Sequence, residues 1–222
     1  RRYYWRVDGI AGDGSVLKGR TWSFVSESFA YPIENLLATA SHADVGAGPE
    51  NTVNGSGLNG EDQHSIKTSD MWLATPGADE PLWLEYEFDR VYKLHEMLVW
   101  NYNAEFELLL GFGLKNVTVE YSADGTEWRS LGDVQLAQAT ASATYSYNTT
   151  VDFEGVAARF VRLNIQSGYG VVGQYGLSEV RFLYIPAQAR KPEPADGATD
   201  VEIDTTLSWC SGREAASHEL YL

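Results

Sequence analysis

The chain has 222 residues, 44% of them hydrophobic and 13% aromatic, and a formal net charge of -15 at pH 7. That length and apolar content suit one large β domain, or one domain with pieces of others. The acidic balance argues against nucleic acid and anionic membranes, which ask for basic patches. No run of about 18 apolar residues offers a membrane-inserting span, and the single cysteine, Cys210, leaves neither an internal disulfide nor a multi-cysteine zinc site.

The first segment alternates. Tyr3, Trp5 and Val7 share one face, Ala11-Gly12-Asp13-Gly14-Ser15 is turn chemistry, and Thr21-Trp22-Ser23-Phe24 alternates again. This pattern predicts a β-hairpin. Next comes a loop dense in Asn, Ser and Gly, from Glu50 to Trp72. Short polar side chains there serve Asx turns; the same chemistry lets several oxygens converge, which suits a hard cation such as calcium. Leu82 to Phe88 alternates, with Leu82, Leu84, Tyr86 and Phe88 inward. Further strands are predicted over 95–100, 117–121, 144–153, 160–165 and 180–184, with a hairpin turn at Ser122–Thr126 before Trp128. No stretch keeps a helical period, so the class is all-β, a sandwich of short strands. From Ala187, the run Lys191-Pro192-Glu193-Pro194 reads as a stiff linker, followed by strands at Thr205–Trp209 and His218–Leu222.

Taken in order, Ala38-Thr39-Ala40-Ser41, Val53-Asn54-Gly55, Met71-Trp72, Leu84–Phe88, Val119–Trp128, Arg159–Leu163 and Gly176–Phe182 resemble a discoidin domain, also called a coagulation factor 5/8 type C domain. Many bacterial members act as carbohydrate-binding modules. The resemblance implies an eight-stranded jelly-roll β-sandwich over 29–186, with ligand loops gathered at one end. Segments 1–28 and 187–222 resemble the closing and opening strands of fibronectin type III-like domains. They would be completed by further sequence, or by complementing each other within a chain or head to tail between copies.

The resemblance also implies a structural calcium site. Its ligands by position are Asn51, Asn54, Ser56, Ser178 and Glu179, with Asn54 standing where the family usually has Asp. Loss of that charge weakens a calcium site, and the competing reading has Glu179 bonding loop amides. For a glycan, the candidates are His64, Trp72, Asn101, Tyr102, Asn103, Tyr169 and Gln174: aromatic faces for the C–H side of a sugar, imidazole and amides for its hydroxyls. Tyr102 is the better stacking candidate, a core role suits Trp72, and ordinary loop packing competes for each.

No nucleophile elbow, phosphate loop or dinucleotide fingerprint is present. The expectation is therefore a non-catalytic carbohydrate-binding module within a large secreted or cell-surface protein, with a glycan as partner. The alternatives are an adhesive spacer that binds protein neighbours, or an accessory domain of an enzyme whose catalytic part lies elsewhere.

Overall fold

The computed structural model describes residues 1–77 and 79–221. The first segment folds as expected: β1 (Arg2–Arg6), β2 (Gly9–Ile10), β3 (Val16–Leu17) and β4 (Thr21–Val25) form one long hairpin, with Tyr3 opposite Phe24 and Trp5 opposite Trp22. Its four facing rings pair at 5.3 and 4.7 Å, and every strand residue is exposed.

The central domain is a nine-stranded antiparallel sheet folded over onto itself. Its strands are β5 (Tyr31–Pro32), β6 (Leu36–Ala40), β7 (Trp72–Ala74), β8 (Trp83–Asn101), β9 (Leu114–Ser122), β10 (Arg129–Gln135), β11 (Thr149–Asp152), β12 (Ala157–Gly168) and β13 (Tyr175–Tyr184). The two alternating runs at 82–88 and 95–100 belong to one 19-residue strand, β8. Its first half pairs with β6 and β12; its second half pairs with β11 and β13. A strand shared in this way joins the two layers, and its inward residues close both sides of the core. Leu84, Tyr86 and Phe88 come from the first half and Met97 and Val99 from the second, all fully buried. They meet Val117, Val119, Val161, Leu163 and Phe182 from the neighbouring strands. Phe182 lies 5.1 Å from both Tyr86 and Phe88, ring centre to ring centre, and 6.2 Å from Phe153. Each such side chain, moved out of water, contributes about 1.5–3 kcal/mol.

Three sequence expectations fail locally. The strand predicted over 144–153 is reduced to β11, because Ser142–Asn148 turns to cap the end of the sandwich. Beyond Pro186 the supposed linker contributes a strand, β14 (Arg190–Glu193), paired with β15 (Ser208–Cys210). Residues 218–221 are in no strand, and Leu222 lies outside the described residues.

Both connecting segments leave from one end of the sandwich, since β5 pairs with the last two residues of β13. Glu27 holds them together: its carboxylate accepts from Tyr31 Oη at 2.6 Å, Arg190 at 2.6 Å and Arg213 at 3.0 Å. These contacts hold its carboxyl at about 2, well below the usual range. Among the described residues the two flanking hairpins pair only within themselves, so no strand of one complements the other.

Candidate functional site

The opposite end of the sandwich is where β7 finishes, β8 finishes and β13 begins. Segments 41–48, 75–77, 102–113 and 168–174 gather there, tied by backbone contacts. Asp44 N–H donates to Leu73 O, Gly170 N–H to Gly111 O and Tyr169 N–H to Gly113 O.

Five of the seven expected sugar contacts turn out to build this end rather than to face solvent. His64, Trp72, Asn101 and Asn103 are fully buried and Tyr102 is 1% exposed, so the first four offer no ring face or amide to a ligand, and Tyr102 offers only the sliver that lines a cleft. Each has an internal partner. Trp72 Nε1–H donates to His42 O at 3.0 Å from within the main core. Asn101 Nδ2 donates to Leu114 O and Ala137 O, while its Oδ1 accepts the Tyr102 and Leu114 amides. Asn103 Nδ2 donates to His64 O, Ser65 O and Ser142 O, and its Oδ1 accepts Ser142 N–H. His64 Nδ1 lies 2.9 Å from Ser65 O, which makes Nδ1 the protonated nitrogen; the ring packs against Gly57, where a Cβ would come within 2.2 Å. The Tyr102 ring lies over Gly176, the one residue without a side chain to obstruct it, since a Cβ there would meet the ring at 2.3 Å. Polar side chains at strand ends are common as loop fasteners, and sequence alone does not separate that role from ligand contact.

Tyr169 and Gln174 remain half-buried at the rim. Tyr169 Oη donates to Leu136 O at 2.7 Å, leaving part of its ring accessible beside Lys115. Gln174 Nε2 donates to Thr75 Oγ1 at 3.1 Å. Thr75 in turn donates through both N–H and Oγ to Asp44, and the neighbouring His42 Nε2 lies 2.8 Å from Glu80. The result is a polar shelf contributed by three loops.

Beside the shelf runs a cleft of about 460 Å³ between 66–69 and 102–112. Its lining combines the rings of Tyr102, Phe106 and Phe112 and the apolar Ala104 and Leu110 with the polar Lys67, Thr68 and Ser69. Phe106 is 61% exposed. A lining that brings aromatic rings together with donors and acceptors, within the usual volume of a small-ligand site, can hold the apolar and hydroxylated sides of one ring at once. Sequence reading passed over Phe106 and Phe112. Their only signal was the interval 102–110, between the end of β8 and Gly111, carrying two aromatic residues, Tyr102 and Phe106, just ahead of Phe112.

The calcium expectation is corrected. Among the described residues no group of three or more His, Cys, Asp or Glu side chains is placed to hold a metal. Of the implied ligands, Asn51, Asn54, Ser56, Ser178 and Glu179, only Glu179 has a carboxylate. The loop spends its polar atoms on itself. Asn51 Nδ2 donates to Ser69 O and Met71 O, Asn54 Oδ1 accepts Ser56 N–H at 2.8 Å, and Ser178 Oγ accepts Asn103 N–H. Glu179 accepts Gly55 N–H at 3.1 Å and is 4% exposed; burial raises its carboxyl to about 8. This donor set does not fit a hard cation, which asks for several anionic oxygens. The competing reading, a carboxyl that bonds loop amides, is the one the geometry carries.

An antiparallel sheet folded into a two-layer jelly-roll sandwich, with a cleft among the loops at one end, defines an all-β ligand-module architecture. The F5/8 type C domain profile matches residues 38–179, well over half the chain, and the chain belongs to that family. A search of curated protein sequences returns no significant match. Among solved structures the chain resembles the CpGH89 CBM32-5 module of Clostridium perfringens, in complex with GalNAc-β-1,3-galactose. The TM-score is 0.52 at 16% identity, covering 69% of this chain and 98% of that one. It also resembles the family 32 CBM from C. perfringens NanJ, in complex with galactose (0.52, 12%, covering 70% and 98%). A Streptococcus pneumoniae fucose binding module is similar as well (0.50, 17%, covering 72% and 99%). At these identities the likeness is one of fold.

Proposed function

We propose that residues 29–186 are a non-catalytic carbohydrate-binding module, carried within a larger secreted or cell-surface protein and flanked by partial fibronectin type III-like segments at 1–28 and 187–222. The observation that carries this reading is the cleft lined by Phe106 and Phe112 together with Lys67, Thr68 and Ser69. A pyranose has one face of C–H bonds and a rim of hydroxyls, and this pairing of surfaces matches both. Gln174 and Tyr169 on the adjoining loop extend the contact. The similar solved modules include complexes with galactose and GalNAc-β-1,3-galactose and a fucose binding module, so neutral hexoses and N-acetylhexosamines are the first ligands to try. The net charge of -15 favours neutral over sulfated or uronic sugars.

The test is a glycan array on the intact chain, followed by titration calorimetry with the best hit. Phe106→Ala and Phe112→Ala together should weaken binding by tenfold or more, with a melting temperature near that of the parent for Phe106→Ala alone. An array without hits would overturn the reading. It would favour the adhesive-spacer alternative, for which the exposed Leu108, Leu109, Val171 and Val172 at the same end provide an apolar surface.

A further inference from the structure

The cleft wall rests on a support that its own sequence does not explain. Helix α1 (Glu107–Leu110) has four residues, too few to persist unaided. Its leucines do not anchor it: Leu108 and Leu109 are 68% and 83% exposed and Leu110 36%. Glu107, in contrast, is 1% exposed. Its Oε2 accepts Phe112 N–H at 2.9 Å, and its Oε1 accepts Gly113 N–H at 3.0 Å and Gln138 Nε2–H at 3.1 Å. The Gln138 amide also donates to Glu107 O, as does Gly111 N–H at 2.8 Å. Gly111 adopts φ +67°, and a Cβ there would strike Gly170 N at 2.4 Å, so the chain can reverse at this point only with glycine.

We infer that Glu107 is the positioning residue of the cleft: one buried carboxylate, gripping the two amides that follow α1, sets the spacing between the rings of Phe106 and Phe112. Phe106 immediately precedes the carboxylate in sequence, and Phe112 carries one of the amides it holds. The carboxylate touches no ligand itself. The groups that face it are the amides of Phe112 and Gly113 and Gln138, with the phenols of Tyr102 and Tyr145 further off. Burial raises its carboxyl above the usual glutamate value, and among the described residues no lysine or arginine opposes that shift. A neutral carboxyl keeps one oxygen as an acceptor and converts the other to a donor, which Phe112 N–H or Gly113 N–H cannot use.

This inference rests on the cleft being the glycan site, so the experiment has an arm that needs no ligand. Amide hydrogen exchange and aromatic ¹³C spectra are recorded on the intact chain for the wild type, Glu107→Gln and the milder Gln138→Ala. The expected result is exchange at least tenfold faster over 107–113 and displaced Phe106 and Phe112 ring signals in both variants, with protection in β9 and β12 retained. In the wild type the Phe112 and Gly113 amide shifts should follow a titration above the ordinary glutamate range that Glu107→Gln abolishes. Unmoved ring signals, or protection lost equally across the whole sandwich in both variants, would overturn the proposal. The second arm measures galactose and N-acetylgalactosamine affinity from pH 4 to 8. Affinity should drop on acidification in the wild type, be roughly tenfold weaker in Glu107→Gln, and be flat with pH in that variant. A wild type that binds neither sugar, with an array without hits, refutes the glycan reading alone, and the spectra still decide the role of Glu107.

Discussion

Asn103 is where ligand contact and loop support predict different results. Replacing it with alanine removes an amide that donates to three backbone carbonyls at 2.8–3.1 Å and accepts Ser142 N–H at 3.2 Å, in a fully buried setting. A net hydrogen bond is worth about 0.5–1.5 kcal/mol, and a buried donor left without a partner costs about 1–3 kcal/mol. Two effective bonds lost and one orphaned Ser142 N–H give a destabilisation of about 3–4 kcal/mol. For a domain of this size that lowers the melting temperature by about 10 °C. The assay is urea unfolding followed by tryptophan fluorescence. The midpoint should fall while the slope stays constant, since the surface exposed on unfolding is unchanged. Asn103→Asp should be no better, because it keeps the acceptor but buries a charge and loses the donors. A stable Asn103→Ala that has lost only glycan affinity would refute this reasoning and return Asn103 to the ligand surface.

Phe182→Ala should cost about 3–5 kcal/mol, because the ring is 1% exposed and in contact with three other aromatic rings; denaturant unfolding measures it. His64 sets an acid limit. Desolvation lowers its pKa below 6.5, so between that lowered value and 6.5 the unfolded chain binds more protons than the folded one. Stability is therefore complete above about pH 6.5 and is lost as pH falls through the folded value, where a second N–H would be forced against Gly57 at a nitrogen with no partner. In His64→Gln the slope of stability between pH 4 and 6.5 should flatten; an unchanged slope would assign the acid loss to other groups. Glu27→Ala should leave the melting of the central sandwich unaltered and speed limited proteolysis at 187–190, because it removes the carboxylate that Arg190 and Arg213 share. Equal cleavage rates would deny Glu27 that role.

The alternation of Leu84, Tyr86 and Phe88, the turn at Ser122–Thr126 and the alternating strands of the first hairpin were all readable from sequence. Strand period and turn chemistry are local properties, and the structure keeps them. The ordered motifs from Ala38 to Phe182 likewise carried the family, which the profile match over 38–179 bears out. What sequence did not resolve was the direction in which polar residues at strand ends point. Asn101, Tyr102 and Asn103 resemble a sugar-binding run because amides and phenols serve ligands and backbone equally well. Only the arrival of Leu114, Ala137 and Ser142 from distant parts of the chain turns them inward. The same holds for Glu179, whose expected cation site disappears once the surrounding asparagines are seen to bond their own loop. Conversely Phe106 and Glu107 sit side by side in an unremarkable loop, one 61% and the other 1% exposed. Burial at neighbouring positions is decided by which side of a loop meets the rest of the molecule, and no local pattern encodes that.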